Sequence, residues 1–254
     1  MKNRHRQLQT LIATVMAMFI LLSVNIDAAP ERPMPVTLKY NLAGTGSWVP
    51  YGFFGDVDKP GIFAEVIAAI LDRAGYSFEF YYYPPKRADK AFDEGLLDVD
   101  FMSSAWFKDG DIGDPYVASS TIFNLTEYIV TLPENAHGYV TPSSIHGQRV
   151  GTVAGYDYHD DDKFIRVDFF SEARLIKGLQ MLRFRSVILE GVTAKHWSSH
   201  YDVPIALASV HSEGEVFLRL RKEFSDLLPS LNEAITALKN EGEIDRIFQK
   251  YAVK

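Results

Sequence analysis

The sequence predicts an α/β protein built of two lobes. Segments in which apolar and polar residues alternate, as in strands, are interleaved with segments whose apolar residues recur at helical spacing. Such an order indicates a largely parallel sheet whose strands are joined by right-handed crossovers. The order runs through the first part of the chain and starts again after residue 120, and 254 residues, 47% of them hydrophobic, suffice for a core in each lobe.

The chain begins with the pattern of a secretory signal peptide. Basic residues between Lys2 and Arg6 precede an apolar run, 11–24, which is followed by the small residues Ala28 and Ala29. The run is shorter than the ~20 residues that span a bilayer, so we expect a signal peptide over residues 1–28, cleaved after Ala28. The alternative is an uncleaved membrane anchor.

The composition excludes several classes of function. The formal net charge is −7, and removal of the basic N-terminal segment makes it more negative, whereas nucleic acids and anionic membranes favour basic surfaces. The chain contains no cysteine, which excludes disulfides, a thiol nucleophile, thiolate metal sites and a lipid anchor on cysteine. We therefore expect an exported, periplasmic protein that is not lipidated and binds no nucleic acid. We also expect a monomer.

The first part of the chain predicts the order strand, loop, helix, strand, helix, strand. Val36, Leu38 and Tyr40 alternate with polar residues and indicate a half-buried strand. The first helix has an apolar face and ends at Gly75, a typical C-terminal residue. After the loop, the predicted elements are the helix 60–75, the strand 76–83, the helix 84–95 and the strand 96–104.

The second part of the chain predicts strands around one helix and ends in two more helices. Ser171 is the expected N-cap of the helix between the strands. Both closing helices are amphipathic. The predicted strands are 121–133, 148–158, 166–170 and 185–191, and the predicted helices are 171–184, 226–242 and 243–254.

The ordered set of segments resembles a known family. The resemblance rests on WVPYGFFGDVDKPGIFAEVIAAILDRAG, PPKRADKAFDEGLLDVDF, DPYV, QRVGTVAGYDY, GLQMLRFRSVILE and SLNEAITALKNEGEIDRIFQKY, which cover nearly all of the chain after residue 28. In this order they are similar to the extracellular solute-binding proteins of family 3. These are periplasmic receptors for polar amino acids and similar solutes that feed ABC importers.

The resemblance implies a two-lobed, periplasmic-binding-protein-like type II fold with the ligand in a cleft between the lobes. Lobe 1 would combine residues 29–126 with residues 214–254, and lobe 2 would hold residues 127–213. The runs TIFNLTEYIV and GEVFLRLR would be the strands that cross between lobes. Ligand binding would close the lobes by a hinge motion.

An aromatic loop after the first strand supplies the first candidate ligand residues. Residues 47–56 hold Trp48, Tyr51, Phe53 and Phe54 beyond the carboxyl end of a predicted parallel strand, where ligands bind. Aromatic faces offer apolar contact and a cation–π contact to an ammonium group. The resemblance implies that Tyr51, with Trp48 as a second candidate, faces the cleft, while we expect Phe53 and Phe54 to pack on lobe 1.

Further candidates follow the third strand of lobe 1. The resemblance implies that a serine here meets the ligand, which Ser103 and Ser104 match, and Trp106 follows the strand end. Family members usually carry an arginine a few residues later that clamps the ligand carboxylate. This chain offers only Lys108 there, which departs from the pattern of an α-amino acid site. Lys108 is either a ligand contact or a solvated loop lysine.

Arg87 is a candidate because of its position in a predicted helix. It lies in the first turn, where a cation opposes the helix dipole, so a ligand anion would explain it. The alternative is a surface ion pair with Asp98 or Asp100.

The last candidates lie in lobe 2. The glycine turn VGTVAGYDY resembles the family's turn at which backbone N–H groups meet an anionic ligand group, which implicates Gly155, Tyr156 and Tyr158. Glu190 ends a predicted strand near the family's acidic residue for the ligand ammonium. Its alternative is a solvated strand-end glutamate.

The run YHDDDKF predicts a solvated acidic loop. His159 and its aspartates offer metal-ligand atoms, but consecutive residues do not all point at one ion and no metal-binding spacing is present. We expect neither a metal ion nor another cofactor.

The function predicted is a receptor that passes a small polar solute to an inner-membrane ABC permease, with no catalysis. One alternative is a sensor that signals to a membrane partner. Another is a dehydratase-like enzyme on the same fold, but no motif positions Glu190 with His159, His196 or His211 as an acid–base pair.

Overall fold

The computed structural model of the protein describes residues 36–42, 44–53 and 60–251, with Phe53 described by its backbone. The predicted signal peptide, Phe54 and the packing of the Phe53 side chain lie outside this description. Within the described ranges, no helix is both long and apolar enough to cross a membrane.

The described residues form strands and helices in the alternating order that the sequence predicts. The strands are β1 (Thr37–Asn41), β2 (Ser47–Trp48), β3 (Gly52–Phe53), β4 (Ser77–Tyr81), β5 (Val99–Ser103), β6 (Tyr116–Ala118), β7 (Phe123–Thr131), β8 (Arg149–Val153), β9 (Ile165–Phe169), β10 (Ser186–Glu190) and β11 (Ala206–Arg221). The helices are α1 (Ile62–Ala74), α2 (Pro85–Asp93), α3 (Glu172–Gln180), α4 (Gly191–Tyr201), α5 (Leu228–Asn240) and α6 (Glu243–Tyr251).

A continuous mixed sheet runs through the molecule in the order β4-β1-β5-β11-β7-β10-β8-β9, with β6 on β11. Parallel pairing joins β1 to β4 and β5, and joins β8 to β9 and β10. The long strands β7 and β11 pair antiparallel at the centre. These two strands include the predicted crossover segments, and the parallel halves lie on either side of them.

The buried apolar residues form separate cores on the two sides of this central pair. The first core joins residues between Leu38 and Leu125 to residues between Val216 and Ile247. Two further clusters draw their buried residues only from Ile129 to Val203. A small cluster of Ala91, Phe92 and Leu97 belongs to the same side as the first core. We call the first body lobe 1 and the second lobe 2. The predicted two-lobed α/β architecture is therefore confirmed, while the boundaries at residues 126/127 and 213/214 stay a prediction.

The structure differs from the predicted elements in lobe 2 and in the aromatic loop. Helix α4 was missed, because its sequence GVTAKHWSSHY lacks a clean apolar face. Helix α3 ends at Gln180 because Leu182 adopts a positive φ of 54°. Ser171 occupies its N-cap without a side-chain capping bond. Residues 47–53, expected as a loop, contain the short hairpin β2–β3.

Candidate functional site

A cavity of about 170 Å³ lies between the lobes. Lobe 1 lines it with residues at the carboxyl ends of β1 and β5, with the aromatic hairpin and with the first turns of α2. Lobe 2 adds Glu127 from β7 and residues 155–157 from the loop after β8. The carboxyl ends of parallel strands therefore face this cavity, the usual ligand position in open α/β sheets.

Trp48 is the centre of an aromatic wall. Its ring centroid lies 5.5 Å from that of Tyr51, 5.9 Å from that of Trp106 and 5.8 Å from that of Tyr156. The Phe63 ring packs edge-to-face against Trp48, with 5.0 Å between the ring centroids. Because Tyr156 belongs to lobe 2 and the other rings to lobe 1, this wall spans the cleft and offers π faces to a ligand.

The charged side chains that line the cavity are all acidic in the described part of the chain: Asp89, Asp100, Glu127 and Asp157. Asp100 is neutralised by Arg219, whose Nε and Nη2 donate to the two carboxylate oxygens at 3.1 and 2.7 Å. Phe92 and Tyr116 stack on the Arg219 guanidinium at 4.6 and 4.7 Å. The Arg219 guanidinium is thus already paired within the protein.

The other three lining carboxylates form no ion pair with a described residue. Among the described residues, Asp89 makes neither an ion pair nor a hydrogen bond, and burial and the charge of Asp157 raise its pKa to about 7, although Arg219 opposes this rise. Burial also raises the pKa of Glu127, although Ser212 donates a hydrogen bond of 2.7 Å to it. A cation placed between these groups would relieve both the burial of charge and the mutual repulsion.

The structure brings five of the predicted site residues to the cavity wall: Trp48, Tyr51, Trp106, Gly155 and Tyr156. Gly155 has a positive φ of 86°, and a Cβ there would lie 2.7 Å from the backbone nitrogen of Lys86 in lobe 1. Only a glycine permits this close approach of the two lobes.

The predicted serines and Lys108 lie away from the cavity. Ser103 is buried, and its hydroxyl accepts a hydrogen bond of 3.3 Å from the Ala105 amide at the start of a short 3₁₀ turn. Ser104 and Lys108 line a second, open cavity. Lys108 is exposed there, with Nζ 4.0 Å from the Asp162 carboxylate.

Arg87 also lies outside the cavity. It is exposed, with its guanidinium 5.7 Å from the Tyr83 ring centroid. The alternative of a surface ion pair is wrong, because Asp98 pairs with Arg221 and Asp100 with Arg219.

The remaining predicted residues, Tyr158 and Glu190, are buried behind the cavity wall. The Tyr158 hydroxyl accepts a hydrogen bond of 3.1 Å from the Val153 amide. Glu190 caps α4 by accepting a hydrogen bond of 2.8 Å from the Thr193 amide. Burial, together with the nearby charge of Glu190, raises the pKa of Tyr51. The solvated alternative for Glu190 is wrong, since the residue is only 7% exposed.

The acidic loop prediction also needs correction. Asp160, within YHDDDKF, is 9% exposed, and its carboxylate lies 2.9 Å from Nε2 of His211. The β-sheet brings His211 to this loop from a distant part of the sequence, which the local pattern does not reveal.

The lobes are joined next to the cavity by hydrogen bonds from the β2 segment. The Trp197 indole on α4 donates to the Ser47 carbonyl at 2.7 Å, and the Thr193 hydroxyl donates to the Val49 carbonyl at 2.8 Å. Thr45 and Ser47 donate to the Glu172 carboxylate at the start of α3. These contacts connect the β2 segment of lobe 1 to α3 and α4 of lobe 2.

Sequence reasoning missed the acidic residues of the cavity. Glu127 offered a signal, because a carboxylate in the apolar run TIFNLTEYIV has to find a polar environment. Asp157 lies inside the glycine turn that drew attention to Gly155 and Tyr156. Asp89 offered no local signal.

Comparison with known proteins gives the family. The sequence profile of the bacterial extracellular solute-binding proteins, family 3, matches residues 40–254. The comparison with curated proteins gives no match.

Solved structures of similar fold come from binding, sensing and enzyme-related proteins. An amino acid ABC transporter substrate-binding protein, AbpA, from Streptococcus pneumoniae bound to L-arginine is 17% identical, with a TM-score of 0.67 over 85% of this chain and 94% of that chain. A histidine kinase sensor domain with similarity to periplasmic binding proteins is 15% identical, with a TM-score of 0.70 over 85% and 96%. The ancestral amino acid-binding protein AncCDT-1, a precursor of cyclohexadienyl dehydratase, is 16% identical, with a TM-score of 0.65 over 85% and 95%.

At these identities the structural similarity shows the fold alone, and it confirms the predicted two-lobed, periplasmic-binding-protein-like type II fold. The profile match supplies the family, since it covers most of the chain. The chain belongs to the bacterial extracellular solute-binding proteins, family 3.

Proposed function

We propose that the protein is a monomeric, unlipidated periplasmic receptor that captures a small organic cation in the interlobe cavity and passes it to an inner-membrane ABC permease. The observation that carries this proposal is the charge of the cavity. Its charged lining residues in the described chain are acidic, and three of them, Asp89, Glu127 and Asp157, have no cationic partner.

The arrangement suits an ammonium or guanidinium group for two physical reasons. The carboxylates Asp89 and Glu127 lose solvation in the cavity, and a ligand cation replaces part of that lost solvation. The rings of Trp48, Trp106 and Tyr156 supply π faces, and a desolvated cation–π contact contributes about 2 kcal/mol.

The same cavity disfavours a ligand carboxylate. Lys108 and Arg87, the sequence candidates for that role, lie outside the cavity lining. A carboxylate would face the acidic residues, and the described cavity lining offers no basic side chain to bind it. We therefore propose that the ligand is an amine or guanidine whose cationic end enters the cavity and which carries no α-carboxylate.

Two alternatives share the fold. Signalling to a membrane partner would use the same cavity, and one solved structure of similar fold is a histidine kinase sensor domain. An enzymatic role is favoured by one observation, the pKa of about 7 for Asp89, which suits a general acid or base in a cavity. If the protein is a receptor, the bound ligand is recovered chemically unchanged. If it is an enzyme, the ligand is converted to product.

A thermal-shift and calorimetric screen with matched ligand pairs tests the proposal. The protein is unfolded and refolded to remove carried ligand, then titrated with arginine against agmatine, lysine against cadaverine, and glutamate as the acidic control. A ligand at a hundredfold its Kd stabilises the fold by about 2.7 kcal/mol. For a chain of this size that raises Tm by roughly 5–10 °C.

We expect agmatine or cadaverine to give the larger shift of its pair and glutamate to give none. Preference for glutamate would overturn the cationic site, and a tight arginine complex with no response to agmatine would restore an α-amino acid ligand. Mass spectrometry of the recovered ligand separates receptor from enzyme.

A further inference from the structure

A cluster of imidazole and carboxylate groups lies outside the interlobe cavity. One ligand atom from each of His159, Asp160 and His211 lies within 4.8 Å of the other two. His146 approaches from the side, with Nε2 3.7 Å from the Asp160 carboxylate. We propose that this cluster binds a divalent transition-metal ion, with Zn²⁺ as the best fit, at a site separate from the solute cavity.

The spacing is close to that of a metal centre. Nε2 of His211 lies 2.9 Å from Oδ1 of Asp160, and the ring centroids of His159 and His211 are 4.8 Å apart. Two ligand atoms at tetrahedral Zn²⁺, with bonds of about 2.0–2.1 Å, are about 3.3 Å apart. The proposal requires the half-buried His159 ring to rotate toward the other two ligands.

The backbone aims these side chains from different elements. His159 and Asp160 lie in the turn after β8, and His146 follows a 3₁₀ turn that precedes β8. In β11 the pairing with β7 passes from Val210 to Ser212, so that His211 is the extra residue of a β-bulge. Bulges redirect a side chain and are frequent beside functional sites. The bulge places His211 against the Asp160 carboxylate.

Hydrogen bonds do not fully satisfy the buried ring of His211. The side chain of His211 has no solvent exposure, and its Nδ1 has no hydrogen-bond partner among the described residues. A buried polar atom without a partner costs about 1–3 kcal/mol, so such atoms are uncommon unless they have a role. In the proposed centre Nε2 of His211 and the Asp160 carboxylate both bind the ion, so that two metal bonds replace their hydrogen bond of 2.9 Å.

The donor set selects the metal. Imidazole nitrogens with one carboxylate suit Zn²⁺, whereas Mg²⁺ and Ca²⁺ favour sites made of oxygen atoms. The surrounding charges do not oppose a divalent cation. The open cavity that borders the cluster is also lined by Asp109, Asp162 and Glu213. The Nζ atoms of its two lysines, Lys108 and Lys163, lie 4.0 and 3.1 Å from the Asp162 carboxylate, which offsets their charge. An ion therefore has access from solvent.

A competing pair of histidines gives a matched control. On α4, His196 and His200 are one turn apart, with ring centroids 6.3 Å from each other, and this spacing also suits a metal ion. Their substitution changes the same residue type on the same lobe and leaves the proposed cluster intact.

The test is calorimetric titration of the purified, EDTA-treated, untagged protein with ZnCl₂, with MgCl₂ as the comparison. We expect one Zn²⁺ per chain, a rise in Tm with Zn²⁺ and no response to Mg²⁺. His159→Gln, at a half-buried position, should weaken Zn²⁺ binding by about tenfold or more while His196→Gln leaves it unchanged. His211→Gln should act in the same way as His159→Gln, provided that circular dichroism shows it folded.

Absence of Zn²⁺ binding to the unsubstituted protein would overturn the proposal. So would binding that is retained in His159→Gln and lost in His196→Gln, since this result would assign the metal to α4. Neither outcome depends on the identity of the solute, because no solute is present in the titration.

Discussion

The hydroxyl of Ser47 in lobe 1 donates a hydrogen bond to the carboxylate of Glu172 in lobe 2, with 2.7 Å between Oγ and Oε2. Tyr156 donates to the other carboxylate oxygen at 2.7 Å, so that Glu172 connects the β2 segment to the aromatic wall of the cavity. Glu172 is 1% exposed and lies in the first turn of α3, where the helix dipole favours a negative charge. Closure of the cleft and the cavity wall therefore share one buried carboxylate.

Removing the Ser47 hydroxyl should weaken ligand binding. Ser47→Ala deletes a hydrogen bond between the lobes, which we expect to break when they open, and one such bond contributes about 0.5–1.5 kcal/mol. Because ligand binding draws on the closed state, Kd should rise about two- to tenfold, as measured by isothermal calorimetry. Ser199→Ala, at an exposed position on α4, is the control. Equal Kd values for the two variants would show that the Ser47–Glu172 contact does not control closure.

Neutralising the unpaired acids should weaken cation binding without unfolding the protein. Asp89→Asn and Glu127→Gln each remove a charge that the ligand cation compensates, and a hydrogen bond to a charged group contributes about 1.5–3 kcal/mol. We expect amine affinity to fall about tenfold or more. Glu94→Gln, at an exposed position just after α2, should leave affinity unchanged.

The thermal stability of the variant shows whether the loss of affinity is specific or comes from a destabilised fold. Asp89→Asn removes a carboxylate whose ionisation is unfavourable in the fold, so its Tm at pH 8 should equal or exceed that of the unsubstituted protein. A drop in Tm that parallels the loss of affinity would count against a specific role.

The order of strands and helices was predictable because it depends on local periodicity, but the acids of the site were not. Arg87 and Asp89 lie in the first turns of α2, yet only Asp89 lines the cavity. Two residues are about 200° apart around a helix, so their side chains point in nearly opposite directions. Sequence identifies the turn, while the packing of α2, whose Phe92 lies against Tyr116 and Arg219, decides which residue enters the cavity.

In lobe 2, two acidic residues that are distant in sequence are brought together by strand pairing, which local sequence does not predict. Glu127 and Glu190 are direct cross-strand neighbours in the antiparallel pair β7–β10. Their proximity follows from the register of that pair, since a shift by one residue would turn each side chain to the other face. Local sequence does not specify this register. The aromatic loop was identified as a ligand site from sequence alone, because so many aromatic residues are unusual in a surface loop.

Cation affinity should increase with pH near neutrality. In the folded protein the pKa of Asp89 is raised from 3.8 to about 7, so this carboxyl group is largely protonated below pH 7. A cationic ligand binds the charged form, hence Kd should fall between pH 6 and pH 8 and binding below pH 7 should release a proton. Calorimetry in buffers of different ionisation enthalpy measures that proton, and Asp89→Asn should abolish the release.

The same pKa shift predicts the pH dependence of stability. Asp89 ionises near pH 3.8 in the unfolded chain but only near pH 7 in the folded chain. As pH rises from about 4 to 7, ionisation therefore favours the unfolded chain, and the contribution of this group to stability falls. The gain in Tm from Asp89→Asn should therefore be larger at pH 8 than at pH 4. An equal gain at both pH values would mean that Asp89 titrates normally.

Gly178 on α3 should resist substitution although helices ordinarily favour alanine over glycine by up to about 1 kcal/mol. A Cβ at Gly178 would lie 2.4 Å from Cζ of Phe184, and a Cβ at Gly151 would lie 2.6 Å from the same atom. The buried Phe184 ring therefore fills the space that both glycines leave open in the core of lobe 2. Gly178→Ala should lower the free energy of unfolding by about 1–3 kcal/mol, the usual cost of overpacking.

A double-mutant cycle attributes this loss to the named contact. Phe184→Leu shortens the ring that the new methyl group meets, so Gly178→Ala should be far less destabilising in the Phe184→Leu background. Gly138→Ala is the matched control, since a Cβ there has no neighbour within 4 Å, and its effect should stay within about 0.5 kcal/mol. Urea unfolding followed by circular dichroism gives the four stabilities of the cycle. Additive effects would mean that the core relaxes around Phe184 and that helix propensity, rather than packing, decides the residue at position 178.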